Sequence, residues 1–148
     1  MNALLRTDDA WSSLVLRVML GVVMFPHGAM KLFGWFGGQG FSGTMAGFAE
    51  HLHIPAVVAF LVIMAESVGA VMLIVGFVTR FAAFGIACVM TGAIVLVHLP
   101  NGLFMNWSGK QAGEGYEYHL LVLAMAVALM IAGGGRWSVD RAITANTA

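Results

Sequence analysis

The hydrophobic pattern of the chain comes in blocks. Four stretches are apolar almost throughout, at about 12–33, 56–77, 81–99 and 118–133. A helix needs about 20 such residues to cross roughly 30 Å of hydrocarbon at 1.5 Å rise per residue. The first three stretches reach that length. The fourth reaches it only if Glu117 or Gly134 lies at the interface. The pattern predicts an all-α polytopic membrane protein, a single domain built as a four-transmembrane-helix bundle. The first stretch has no small-residue cleavage pattern behind it and runs into Pro26, His27 and the aromatic residues of 33–36. It reads as a retained span, not as a removed signal peptide.

The polar intervals differ from one another. Only Val78, Thr79 and Arg80 separate the second and third spans, which predicts a tight antiparallel hairpin. The interval 34–55 opens with the glycine-rich WFGGQG. It then places Phe41, Met45, Phe48 and Leu52 on one helical face. That spacing predicts a short amphipathic helix in the interface, capped by Ser42 or Thr44 and closed by Pro55. The interval 100–117 is irregular. Its Trp107 and Tyr116, with Tyr118 just beyond, suit the headgroup level. The first and third spans both end in His, Pro and Gly (27, 26 and 28; 98, 100 and 102), an echo of duplication or of chance. Small residues mark candidate packing faces: Ala65, Gly69 and Gly76; Gly85 and Gly92; Ala124, Ala128 and Ala132.

Composition fits this outline. Apolar residues make up 60% of the chain and charged residues 9%, too few charges to cover the surface of a soluble domain. Formal net charge is zero, so nothing favours nucleic acid as a partner. Arg6, Arg80, Arg136 and Arg141 flank one side of the spans, against Lys31 and Lys110 on the other. The positive-inside rule then places both termini in the cytoplasm. Cys88 is the only cysteine, which excludes an internal disulfide framework and a CxxC redox pair, and its apolar setting predicts a buried packing role. The 11 methionines read as packing residues.

Ionisable groups inside a bilayer are costly and persist where they are paired or functional. Arg17 and Glu66 sit about 9 Å apart along the membrane normal if the spans are aligned by their ends. That predicts a structural ion pair between the first two spans. The alternative is an Arg17 that snorkels to the headgroups beside a protonated Glu66. A second group lies toward the other face. His27 and Lys31 share a helical face at i, i+4; His98 ends the third span; Glu117 and His119 begin the fourth, with Asn101 and Tyr116 adjacent in sequence. These residues form either a polar pocket for a small molecule or quinone headgroup, or a set of separately solvated interfacial side chains. His51 and His53 do not face one way on a helix, and no HExxH or cysteine-based pattern is present, so no metal site is expected. No glycine-rich loop follows a strand, so there is no nucleotide fingerprint.

Several segments resemble the DoxX family of bacterial membrane proteins. They are LLRTDDAWSSLVLRVMLGVVMFPHGAMKLFGWFGG, IPAVVAFLVIMAESVGAVMLIVGFVTRFAAF, and VHLPNGLF followed by GYEYHLLVLA. The resemblance runs from about Trp11 to Arg141. It carries Arg17, Pro26, His27, Gly28, Lys31, Gly34, Glu66, Gly76, Arg80, His98, Asn101, Gly115, Tyr116, Glu117 and Tyr118. It implies a four-helix protein of the bacterial inner membrane. It also implies a link to redox metabolism, since the family is named for a subunit of a thiosulfate:quinone oxidoreductase. The resulting expectation is an accessory subunit of a quinone-linked oxidoreductase handling thiols, sulfur or oxidative stress. A histidine would move protons to a bound quinone, and Lys31 would stabilise negative charge on a quinone or sulfur oxyanion. Two other classes stay open: a non-enzymatic scaffold recruiting a partner through Phe48 and the outer loops, and a small-molecule carrier acting as a homo-oligomer.

Overall fold

The structure, a computed structural model, describes residues 4–145 and is helical without a strand among them. The order is α1 (Trp11–Phe33), α2 (Gly40–Leu52), α3 (Ala56–Val75), α4 (Thr79–Ala93), α5 (Glu117–Ala132) and α6 (Val139–Ala145). A π turn at Ile94–His98 and a 3-10 turn at Leu99–Asn101 prolong α4. Three helical runs are long and apolar enough to cross a membrane: α1, α3 and the continuous Thr79–Asn101. The fourth, α5, has 16 residues and is shorter, about 24 Å at helical rise.

These four helices pack in a ring, with α1 and α4 each contacting both α3 and α5. Leu20, Met24, Leu73, Ile86, Val122 and Leu129 fill the centre. On the outside Val57, Leu121 and Ile131 are each about two-thirds exposed or more (71%, 67% and 73%). Each such side chain left in water forfeits about 1.5–3 kcal/mol. The ring is therefore a membrane bundle with its apolar flank against lipid.

The closest approach in the bundle is between α1 and α3, and it depends on glycines of α1. A Cβ on Gly28 would lie 2.3 Å from the Glu66 carbonyl oxygen, and one on Gly21 would lie 2.7 Å from that of Ala70. Small residues serve this purpose in membranes, where packing replaces the hydrophobic drive. The marked stripe on α4 is less intimate: Gly85 meets only the Ala65 side chain, at 3.4 Å, and Gly92 has open space. Helix α2 lies across α1 and α3, with Phe41 edge-on to Phe60 at 6.3 Å. Neither Ser42 nor Thr44 caps it. Its N-cap is Gln39, and the Thr44 hydroxyl donates instead to the Lys31 carbonyl at 3.3 Å.

One end of the bundle is a basic plug. The α3–α4 hairpin turns through Gly76 in the left-handed region, at φ 73°, and the Gly76 and Phe77 N–H groups both return to the Met72 carbonyl. Asp140 of α6 then accepts from the Val78 and Thr79 N–H groups at 2.6 and 2.8 Å. It thus satisfies first-turn donors of α4 and sets a negative charge at the positive end of the helix. Arg17, 2% exposed, donates to five carbonyls. They are Gly134 (2.8 Å), Leu73 (3.2 Å), Ile74, Arg136 (3.2 Å) and Trp137 (3.1 Å). Arg80 repeats the device on α5, donating to the carbonyls of Met130 (2.5 Å) and Ile131 (2.8 Å), and also to the Arg6 carbonyl at 3.0 Å. Asp9 pairs with Arg141 and more distantly with Arg136.

The expected Arg17–Glu66 ion pair is not made. Arg17 is level with Leu73 and Ile74, while Gly28 is level with Glu66. Eleven residues of α1 therefore separate Arg17 from the height of Glu66, about 16 Å, beyond the reach of an arginine. The guanidinium is satisfied by helix-end carbonyls, and Glu66 takes another partner.

A polar pocket at the histidine end

At the opposite end a cavity of about 1160 Å³ runs between α3 and α4. Its walls are apolar, with Val58, Leu61 and Val68 from α3, Phe84 from α4, and Leu96 from the π turn. All five are well exposed, so the cavity is a groove open sideways on the lipid-facing surface. The Phe48 side chain from α2, expected to meet a partner, lines this groove. Cys88 also lines it and is exposed, not buried as its apolar setting suggested.

The groove carries a polar group made of His27, Lys31, Glu66, His98, Tyr118 and His119. Lys31 forms an ion pair with Glu66, whose side chain is 5% exposed. This pair neutralises both charges in the low-dielectric interior, where either alone would be costly. His27 is one turn below Lys31 on α1, and its ring is 6.4 Å from that of Tyr118. The Tyr118 hydroxyl points to the Met24 sulfur at 3.7 Å.

His98 and His119 form the other half. Their ring centroids lie 4.1 Å apart. His98 is brought there by the π turn, whose wider winding re-aims the residues at its end; such turns often mark functional sites. Its Nδ1 is 2.8 Å from the Glu114 carbonyl. His119, in the first turn of α5, is 7% exposed, and its Nδ1 is buried without a hydrogen-bond partner. Buried polar atoms are nearly always satisfied, so this orphan is an exception; it has essentially no accessible surface and does not open onto the groove that its ring lines.

Of the seven expected pocket residues, the structure brings His27, Lys31, His98 and His119 to the groove. Asn101, Tyr116 and Glu117 lie outside its lining. They brace the 102–116 loop. Asn101 donates to the Glu114 carbonyl at 3.1 Å, and Glu117 accepts from the Met105 N–H and the Trp107 indole, each at 3.0 Å. The Tyr116 N–H binds the Gly102 carbonyl. Sequence reasoning missed Glu66 as a pocket residue, although Gly28 as the contact glycine would have set it beside His27 and Lys31. It missed Glu114 and His53 as well, and for these no spacing signal exists. Among the described residues no group of three or more His, Cys, Asp or Glu is arranged to hold a metal ion.

Comparison with known proteins agrees with this architecture. No solved structure matches the chain. The chain is similar to "Putative oxidoreductase CatD" of Bacillus subtilis (strain 168), at 29% identity over 117 residues, which cover 79% of this chain and 77% of that protein. The DoxX family model matches residues 12–99. That stretch holds α1 to the π turn of α4, with His27, Lys31, Glu66 and His98 inside it. On this match over more than half its length, the chain belongs to the DoxX family.

Proposed function

We propose that the protein is the membrane-embedded, quinone-binding subunit of an oxidoreductase system, with the basic plug facing the cytoplasm of the bacterial inner membrane and the groove in the outer leaflet. One observation carries this reading: an apolar groove open to lipid leads to a polar group of His27, Lys31, Glu66, His98 and His119. That is the shape and chemistry of an isoprenoid tail followed by a polar ring. The oxidoreductase name of the similar Bacillus protein supports the redox setting. The four arginines flanking the plug support the orientation.

The residues fit the group. The walls of α3 and α4 would take the tail, and His98, His119 and Lys31 would take the ring oxygens. A bound quinone supplies two-electron redox chemistry coupled to protons. The chain supplies the rest. Lys31 orients an oxygen by its ammonium N–H groups, and Glu66 holds that ammonium in place. His98 and His119 present their rings to the groove. Packing of α2 over the polar end limits water.

Native mass spectrometry of the protein purified from its own membrane in mild detergent tests this. The expected spectrum carries a quinone-mass adduct or an oxidoreductase partner chain, with the adduct diminished in His119→Phe. A protein carrying phospholipid alone, as monomer or homo-oligomer, would overturn the reading in favour of a scaffold or carrier.

A further inference from the structure

We infer that the groove binds its ligand in the reduced, hydroxyl-bearing form in preference to the oxidised dicarbonyl form, and that His98 sets this preference. The inference rests on the quinone-binding reading.

It begins with the direction of one hydrogen bond. The Glu114 carbonyl can only accept, so the His98 Nδ1 at 2.8 Å must donate. A neutral imidazole carries one N–H. Its Nε2 therefore presents a lone pair and no proton. The same carbonyl also accepts from Asn101 at 3.1 Å, which fills its second acceptor position and fixes it. The tautomer of His98 is thus imposed by the main chain of the loop at the groove's edge.

The groove then has a defined demand. His98, with only Nε2 left for a ligand, asks for a donor. The Glu66 carboxylate, paired with Lys31 in the same groove, is also an acceptor. Lys31 keeps ammonium protons beyond the one given to Glu66 and asks for an acceptor. A quinol oxygen meets both demands, since its O–H donates and its lone pairs accept. A quinone oxygen accepts only, and would leave the His98 lone pair unmet beside the buried His119 ring 4.1 Å away. An acceptor buried without a donor weakens binding by about tenfold. Lys31 serves both forms equally and does not discriminate.

The test uses the purified full-length chain in one detergent at pH about 8, where an ordinary imidazole is neutral. A decyl-tailed benzoquinone and its quinol are titrated separately without oxygen, and the two dissociation constants are compared. The quinol is expected to bind about tenfold more tightly. His98→Asn, whose amide retains a donor for Glu114 and whose acceptor oxygen ends one bond short of the Nε2 position, is expected to bring the two constants together. Equal binding in the unaltered protein, or tighter binding of the quinone, overturns the preference and leaves the quinone-binding reading standing. A preference that survives in His98→Asn overturns the role of His98. Binding of neither form overturns both this inference and the reading beneath it.

Discussion

The two ends of the bundle handle buried charge in opposite ways. At the basic end, Arg17 meets five carbonyls and Asp140 meets two N–H groups, so its most buried charges are answered by main chain, although the Thr79 hydroxyl there has no partner. At the histidine end, side chains answer side chains, as in Lys31 with Glu66, and a ring nitrogen is left over. Main-chain partners are fixed by the fold and cannot turn to a ligand. Side-chain partners can. The basic end is thereby closed, and the histidine end is left open to a ligand.

The largest expected effect is at the closed end. Arg17→Met leaves several buried carbonyls without donors, at ~1–3 kcal/mol each. Stability measured by denaturant titration in detergent should fall by at least ~3 kcal/mol. Arg17→Lys should recover only part, because an ammonium lacks the planar fork that reaches several acceptors at once. A loss below ~1 kcal/mol would mean that the plug is held by other contacts.

A smaller effect is expected from the ion pair in the groove. Lys31→Met and Glu66→Gln should each destabilise, and the double variant should lose less than the two losses added, by ~1 kcal/mol. Strict additivity in that cycle would show that the pair contributes nothing to the fold. Smallest of all should be His119→Phe. It removes an unsatisfied atom and keeps an aromatic ring, slightly larger, so unfolding should stay within ~1 kcal/mol of the parent, while the quinone adduct is diminished. A large drop in stability instead would mark His119 as a structural residue and the two ends as alike.

Much of the architecture was legible in the residues. The apolar blocks gave three spans closely and the shorter fourth, and the spacing of Phe41, Met45, Phe48 and Leu52 gave α2. Depth was harder to read. Aligning the spans by their ends put Arg17 near Glu66, whereas the glycines of α1 set a register that separates them by eleven residues. The partners of Arg17 were also invisible, because carbonyl oxygens belong to every residue and leave no signature in sequence. Cys88 looked buried because its neighbours are apolar, yet apolar neighbours in a membrane helix face lipid as often as core. The polar group at the histidine end was legible as a set of residue types. Its division into groove residues and loop braces was not, since that depends on the π turn that re-aims His98 and on the path of the 102–116 loop.

The contacts of Arg17 also have an order in time. Three of its five carbonyls belong to residues between 117 and 120 positions later in the chain. When α1 first enters the membrane, none of these has been synthesised. The guanidinium must be held at the headgroups by its long stem until the last helices arrive. Completing the plug therefore waits for the last helices, and a chain cut short before them leaves the Arg17 guanidinium without three of its five acceptors.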